Sequence, residues 1–385
     1  MQAGLAVAGG TWLEVSDRRH TRQVRTRNGT KRKARLILDP RLNLVYSSYF
    51  IAGMQNAFNV DVCFDIRPFV ALPQSSPEDH FDHFFACIYS RNGTSLRVVI
   101  DFRDKSELCA EALEWAEVYG VVNVAPQDYA QKQKDDPVNA SKILAVGPYF
   151  GINLYSSIMA VRQALRNHIL SKKFSSVSLK RRISSYRWQT VRPKLSWFQP
   201  EPKQSRYIFH ASTLYEDQSN GQVANSLRAS FIRAARRHAI FEGGLVSRQN
   251  QLADKSFQDI VIARGFSQKD YMKKTKKSTV VFNTPAAWEC LGWKLGEYFA
   301  YGNAIISTPI KQMLPAPLKH KENIFFVKDA EQIESAVAEL MSDEKLRNGL
   351  QNGARKYFET FCSPEAIVER LVKYGLKRRS PKHVN

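Results

Sequence analysis

The sequence predicts an α/β protein made of two halves, each a doubly wound sheet with helices on both faces. Short β-branched runs alternate with helical patterns along most of the chain, which favours parallel strands joined by helices. A basic stretch at 171–204, rich in Ser and Pro, interrupts this alternation once. The length of 385 residues also exceeds that of a usual single domain. If the two sheets face each other, ligands bind in the cleft at the carboxyl ends of their strands.

The alternation and the composition together predict five segments. These are a disordered basic tail over 1–34, an N-terminal α/β domain over 35–170, a basic interdomain linker over 171–204, a C-terminal α/β domain over 205–362, and a C-terminal helix with a basic tail over 363–385. The first segment is assigned to a tail because it has little hydrophobic periodicity and is rich in Arg.

The first half contains four runs typical of strands and three typical of helices. We predict strands at 35–40, 60–66, 95–104 and 142–152, helices at 43–59, 106–120 and 156–170, and an element of undecided type at 82–90. The second half repeats the pattern. Here we predict strands at 206–215, 239–246, 257–266, 279–285, 303–309 and 323–329, helices at 225–238 and 267–278, and a helical C-terminus over 330–374.

The net charge of +21 comes largely from two acid-free runs, 18–35 and 172–194. Such runs attract phosphates on nucleic acid, on anionic lipid or on a phosphorylated substrate, and they equally suit a solvated tail and linker. The sequence contains no stretch of about 18 apolar residues, so no membrane span is predicted. The scattered cysteines and the absence of a secretory signal favour a cytoplasmic protein. Peripheral contact with the inner face of an anionic membrane is compatible with the basic runs.

One stretch, "ECLGWKLGEYFAYGNAIIST" at 289–308, carries the chemistry. It follows a predicted strand, so its first residues form a loop at the carboxyl end of the sheet. Gly292 permits backbone geometry that a side chain would block, and a helix begins near Trp293. The free N–H groups of that first turn form an anion site, to which Lys294 adds a positive charge.

Two glutamates flank this anion site. Glu297 lies about one helical turn in, where its carboxylate can accept hydrogen bonds from vicinal hydroxyls such as those of a ribose. Glu289 precedes the helix and projects over the cleft, where it can accept from sugar hydroxyls. The alternative is chance spacing, with Lys294 and Glu297 forming an ordinary surface pair three residues apart.

The same stretch resembles the E-x7-E signature of GT-B glycosyltransferases of the group 1, family 4-like type, and the similarity extends over about 279–372. The resemblance implies two facing Rossmann-like domains, with the acceptor on the N-terminal one and a C-terminal helix that crosses back. It implies a nucleotide-sugar donor, a glycan or lipid-linked acceptor, no cofactor or metal, and retention of configuration. Glu289 would be the catalytic residue near the donor sugar, Glu297 would bind the nucleotide ribose, and Gly292 with the following backbone would face the diphosphate.

The chain departs from that family pattern in one place. The Arg-x4-Lys pair that often binds the diphosphate is not evident after the strand at 206–215. The cations that could replace it are Lys294, Arg248 and Lys269.

Other constellations were weighed against simpler explanations. His210 ends a predicted strand at the cleft and could contact the donor, but a structural histidine fits equally well. His80 and His83 have metal-compatible spacing, but the segment is more typical of a helix start, so no metal site is predicted. Two rival functions remain, a sugar-nucleotide epimerase of the same fold and a nucleic-acid-binding protein. Nucleic-acid binding ranks third, after glycosyl transfer and epimerisation, because both basic runs lie outside the predicted domains. No nucleic-acid partner is therefore expected.

Overall fold

The computed structural model describes residues 33–73, 84–104, 107–215, 220–247, 255–284 and 289–379. Residues 33–385 form one compact unit. The predicted tail over 1–34 lies almost entirely outside the described residues, and so do His80, His83 and Arg248.

The N-terminal half is built on a six-stranded sheet. Its strands are β1 (Arg35–Leu38), β2 (Asp61–Phe64), β3 (Phe84–Arg91), β4 (Thr94–Asp101), β5 (Val118–Val121) and β6 (Ile143–Ala145), in the spatial order β2-β1-β3-β4-β5-β6. Its helices are α1 (Leu44–Phe58), α2 (Ala110–Trp115), α3 (Pro126–Asp135), α4 (Pro137–Ala140), α5 (Ser157–Ser171) and α6 (Leu179–Trp188). Strands β4 and β5 are largely buried, in keeping with their place in the interior of the sheet, where each has a neighbouring strand on both sides.

The expectation of a wholly parallel sheet is wrong for this half, because β3 runs antiparallel to both β1 and β4. The segment left undecided is therefore a strand. A tight turn at Asn92 and Gly93, both with positive φ, joins it to β4 as a hairpin. An Asn-Gly pair between two strand-like runs is a strong hairpin signal, because both residues tolerate that backbone region.

The helix predicted over 106–120 is also partly wrong, because α2 ends at Trp115 and Val118 begins β5. Val118 and Tyr119 are fully buried between β4 and β6. Tertiary burial has overridden the helical pattern here, since an interior parallel strand has no alternation that distinguishes it from a buried helix.

The C-terminal half is a doubly wound, all-parallel sheet, as expected. Its strands are β7 (Tyr207–Thr213), β8 (Ile240–Val246), β9 (Val261–Ile262), β10 (Val280–Asn283), β11 (Ala304–Ser307) and β12 (Phe325–Phe326), in the order β12-β11-β10-β7-β8-β9. Its helices are α7 (Asn220–His238), α8 (Gln268–Lys277), α9 (Trp293–Tyr301), α10 (Ala330–Ser342), α11 (Glu344–Tyr357) and α12 (Pro364–Arg379).

Helix α12 leaves the C-terminal half and packs on the N-terminal one, which confirms the predicted crossing back. The Arg370 guanidinium donates to the carbonyl of Ala145 at the end of β6 (3.0 Å). The Tyr374 hydroxyl donates to the carbonyl of Ser141 (2.6 Å). Gly53 of α1 meets Pro364 so closely that a β-carbon there would lie 2.4 Å from its carbonyl oxygen.

The stretch 171–204 is structured and joins the two halves by packing. Phe198 stacks between Phe150 of the N-terminal half and Tyr301 of α9, with ring centroids 4.3 and 5.7 Å apart. Stacked aromatic pairs stabilise such a junction beyond their burial alone. The domain boundaries given above stay a prediction.

A substitution at Gly243 in β8 can test how closely β8 packs against β7. A β-carbon at Gly243 would lie 2.0 Å from the carbonyl oxygen of His210, and its φ of +119° disfavours any side chain. We expect Gly243→Ala to lower the free energy of unfolding by about 2 kcal/mol or more. Gly349→Ala is the control, because an open helical position should gain about 0.5–1 kcal/mol from alanine. Denaturant unfolding measures both, and equal effects of the two changes would contradict the packing described.

Candidate functional site

A cavity of about 430 Å³ opens at the carboxyl ends of the neighbouring strands β7 and β10. This is the position at which open α/β sheets bind ligands. Its described wall consists of His210, Ser212, Thr213, Leu214, Tyr215, Arg228, Phe282, Asn283, Thr284, Gly292 and Lys294. Among these residues none is acidic, and Arg228 and Lys294 can supply positive charge, so the described wall favours an anion.

Arg228 of α7 forms one side of the cavity. Its Nε donates to Thr284 Oγ1 (3.0 Å) and its Nη1 donates to the carbonyl of Thr213 (3.2 Å). The guanidinium also lies 4.6 Å from the ring centroid of Tyr215. The backbone of Tyr215 is fixed in turn by the buried side chain of Asn225. A guanidinium anchored in this way is pre-organised for a phosphate group.

Lys294 of α9 forms the opposite side. Its Nζ donates to the carbonyl of Ala211 (2.9 Å) and lies 5.4 Å from the ring centroid of Tyr271. Burial, reinforced by the positive charge of Arg228 and opposed by Glu297, lowers the pKa of Lys294 to about 7. Lys294 therefore changes its charge near neutral pH, and an anion in the cavity would favour the charged form.

His210 lies inside β7 and contributes to the cavity floor. It is 4% exposed, and its Nε2 is 3.2 Å from Ser212 Oγ. Burial and the positive charges of Lys294 and Arg228 hold the pKa of His210 well below its ordinary value. The imidazole is therefore neutral at pH 7 and acts as a hydrogen-bonding group rather than as a cation.

Gly292 is the N-cap of α9 and lines the cavity, as the sequence predicted. The first turn of α9 thus begins at the cavity wall, where helical N–H groups attract an anion. The loop just before it also touches the N-terminal half, because the backbone N–H of Leu291 donates to Asn123 Oδ1 (2.8 Å) beyond the end of β5. The carboxyl ends of the two sheets therefore meet at this loop.

Glu297 does not line the cavity. It is buried and forms an ion pair with Arg192, which comes from the linker. The Arg192 Nε also donates to the carbonyl of Gly151 (2.8 Å), so the pair joins three segments of the chain. The predicted role of Glu297 in ribose binding stays a prediction, and the structure adds Arg192 as a partner that a ribose would share.

Trp293 also points away from the cavity, into the junction of the two halves. Its ring contacts Tyr46 and Tyr149, with centroids 5.0 and 6.1 Å apart. The guanidinium of Arg192 lies 5.3 Å from the same ring. Trp293 is therefore not among the residues that line the cavity, although it is the first residue of α9.

Glu289 is the first residue that the structure describes after residue 284, which follows the end of β10. Its backbone has a φ of +58°, a left-handed conformation that is uncommon outside glycine, asparagine and aspartate. Its carboxylate is 2.5 Å from Lys311 Nζ, and the carbonyl of Glu289 accepts from the side chain of Gln312. Glu289 therefore lies beside the contact between the two halves, and its side chain remains 42% exposed.

The structure brings three of the six predicted residues to the cavity wall: His210, Gly292 and Lys294. Sequence reasoning missed Arg228, although a signal existed. Arg228 occupies the apolar face of α7, four residues before the buried Ile232 and four after Ala224. An arginine on the inward face of an amphipathic helix needs a partner. Of the other cations considered, Lys269 is exposed on α8 and does not line the cavity.

The described part of the chain offers neither a metal site nor a membrane span. No group of three His, Cys, Asp or Glu residues lies close enough to hold a metal ion. No helix there has the length and apolar character needed to cross a bilayer.

Comparison with known proteins places the cavity in context. Residues 243–357 match the family described as glycosyl transferases group 1. The match confirms the predicted resemblance to group 1 glycosyltransferases, and the two α/β sheets with the returning helix confirm the GT-B fold. The assignment of Glu289 and Glu297 to an E-x7-E signature stays a prediction. The glycosyltransferase segment includes α9, and Arg228 lies outside it.

Solved structures with a similar arrangement are distant. A glycosyltransferase from Rickettsia africae has 10% identity and a TM-score of 0.39, covering 88% of this chain and 82% of that one. The Anabaena protein HepE, in complex with UDP-glucose, has 10% identity and a TM-score of 0.34, covering 69% and 80%. The C-terminal domain of the group 1 protein LpcC from Francisella tularensis has 14% identity and a TM-score of 0.31, covering 42% and 94%. No curated protein matches the sequence.

The ion pair between Arg192 and Glu297 can be tested by stability. Glu297→Gln leaves the buried guanidinium uncompensated, so we expect a loss of about 3 kcal/mol in the free energy of unfolding. Asp259→Asn is the matched control, because it breaks the exposed pair with Arg233 and should cost less than about 1 kcal/mol. Urea unfolding measures both, and a loss at Glu297 no larger than the control would show that the pair does not hold the junction.

Proposed function

We propose that this protein is a glycosyltransferase that moves a sugar from a nucleotide-sugar donor to an acceptor hydroxyl. The observation that carries the proposal is the cavity at the start of α9, which has Arg228 and Lys294 on opposite sides and no acidic residue among the described residues of its wall. A diphosphate bears two negative charges in a small volume, which suits two cations and a helix N-terminus. The match of residues 243–357 to the group 1 family supports this assignment.

The chemical contribution of this arrangement would be electrostatic. When the bond between sugar and diphosphate breaks, negative charge grows on the departing phosphate oxygens. Arg228, charged Lys294 and the backbone N–H groups at Gly292–Lys294 can stabilise that charge without rearranging, which is the largest contribution such sites usually make. In this proposal Arg228 takes the place of the missing Arg-x4-Lys pair. Neutral His210 would donate or accept one hydrogen bond to the bound donor.

Glu289 is the proposed catalytic residue near the donor sugar. Its support is position, because it lies next to the loop where the carboxyl ends of both sheets meet. The acceptor would then approach from the N-terminal half. We propose a glycan or lipid-linked acceptor, transfer with retention of configuration, no metal or other cofactor, and a cytoplasmic location with peripheral contact at a membrane.

If the cavity binds a nucleotide-sugar, substituting Arg228 should weaken that binding while leaving the protein folded. Screening UDP-, GDP-, ADP- and CMP-linked sugars by thermal shift should find at least one that stabilises the protein. Arg228→Met should weaken its binding roughly 10- to 100-fold, because a charge-assisted hydrogen bond is lost. Lys269→Met, on exposed α8, should bind as the unaltered protein does. Stabilisation by none of the four classes of nucleotide-sugar would contradict the assignment.

The proposed role of Glu289 predicts a separate effect on catalysis. Glu289→Gln should bind the donor normally but transfer sugar far more slowly.

Lys294 predicts how donor binding depends on pH. Its pKa of about 7 means that the cation is present below pH 7 and is lost above it. A nucleotide-sugar keeps its charge between pH 6.5 and 8.5, and it should favour the protonated lysine. Its affinity should therefore fall as the pH rises through this range, approaching tenfold per unit. Lys294→Arg should abolish the dependence, whereas Lys269→Met should retain it. Calorimetry at several pH values measures this, and the same slope in Lys294→Arg would assign it to another group.

A further inference from the structure

Helix α5 has an unusual outward face. Its inward face is small and polar, formed by Ala160, Ala164, Asn167 and Ser171, all buried. Its outward face carries large apolar side chains, with Ile158 81% and Ile169 75% exposed, and with Met159 and Leu165 also exposed. A surface helix of a water-facing protein normally shows the reverse arrangement. At the helical spacing of these positions, Ile158, Leu165 and Ile169 form one stripe along the helix, and Met159 lies about a quarter turn to the side of it.

Basic side chains interleave with this stripe. Arg162, Arg166, Lys172 and Lys173 are all exposed, and no carboxylate among the described residues forms an ion pair with them. The surrounding sequence explains why, because residues 137–200 contain eleven Lys and Arg residues and no Asp or Glu. We call the face formed by these basic residues and the four exposed apolar residues of α5 the α5 surface.

We infer that the α5 surface docks on an anionic phospholipid bilayer. Helices that lie in a membrane interface combine an exposed apolar stripe with Lys and Arg at its edges, so that the apolar groups enter the acyl boundary and the bases meet phosphates. The long basic side chains can reach the headgroups while their methylene stems remain in the apolar zone. The inference rests on the proposed function in one respect, because it assigns the proposed peripheral membrane contact to a surface, and the vesicle test below does not measure sugar transfer.

Charge and composition favour this partner over two others. A second copy of the chain in a twofold contact would bring two copies of this basic surface together, with no carboxylates to compensate them, which is repulsive. The phosphates of a nucleic acid could pair with the Lys and Arg side chains of the α5 surface. Nucleic acid would gain little from Ile158 and Ile169, however, because its phosphate backbone offers aliphatic side chains no apolar surface.

The α5 surface also has a defined relation to the cavity. The loop from β6 to α5 contains Gly151, which packs against the Trp293 ring and accepts the hydrogen bond from Arg192. Five residues lie between Gly151 and Ser157, the first residue of α5. A bilayer on the α5 surface would therefore lie beside the junction of the two halves, which suits an acceptor held in a membrane.

The test is binding of the full chain to vesicles, followed by flotation. Vesicles of phosphatidylcholine with about one third phosphatidylglycerol should bind the protein, and vesicles of phosphatidylcholine alone should not. Arg162→Gln with Arg166→Gln should weaken binding roughly 30-fold, from about 1 kcal/mol for each base. Ile158→Ser with Ile169→Ser should weaken it roughly tenfold or more.

Matched controls keep the result specific. Lys345→Gln with Lys356→Gln removes two exposed charges from α11, and Val223→Ser with Ile240→Ser removes two apolar side chains of similar exposure from the C-terminal half. Both control pairs should bind vesicles as the unaltered chain does. The inference is overturned if anionic vesicles are not bound, or if the α5 and control pairs behave alike. It is equally overturned if the isoleucine pair instead dissolves a dimer, or if RNA is bound through the arginines in preference to vesicles.

Discussion

The buried ion pair between Arg192 and Glu297 is the contact on which the geometry of the site depends. It joins the linker, the loop before α5 and the helix whose first turn forms the cavity wall. Two opposite charges are stable in such a place only when each fully compensates the other, and Trp293 and Phe198 exclude water around them. The direction in which α9 presents Lys294 to the cavity is therefore set by a residue outside the C-terminal sheet.

Much of the fold could be predicted from the sequence because buried parallel strands and amphipathic helices leave periodic patterns. The strands of the C-terminal half are examples. The patterns failed where the pairing of strands decides the outcome. At Val118 a buried strand imitates a helix, and at Asn92 the direction of β3 depends on a two-residue turn.

The site was only half predictable, and the reason is distance along the chain. Gly292 and Lys294 could be placed because the strand, the loop and the helix that position them are consecutive. Glu297 could not, because its partner lies 105 residues away in a segment that looked like a linker. Arg228 had a local signal, its place on the buried face of α7. The cavity that it faces, however, is formed in part by β10, which pairs with β7 and is distant from α7 in the sequence.

The charge of the protein is divided between two physical uses. In the cavity, Arg228 and Lys294 are surrounded by protein, so their effect on an anion is strong and short in range. On α5 the bases are hydrated and act together over roughly 10 Å, within the screening length of salt water. A single value of net charge therefore describes neither.

Helix α12 has a consequence for the order in which the protein is made. Its buried face, including Ile367 and Leu371, belongs to the core shared with β4, β5 and α1. Chains usually fold domain by domain as they are synthesised, beginning with the N-terminal one. Here the N-terminal sheet emerges long before the helix that covers it. During translation that face must stay exposed or be shielded by another protein until residues 364–379 have left the ribosome.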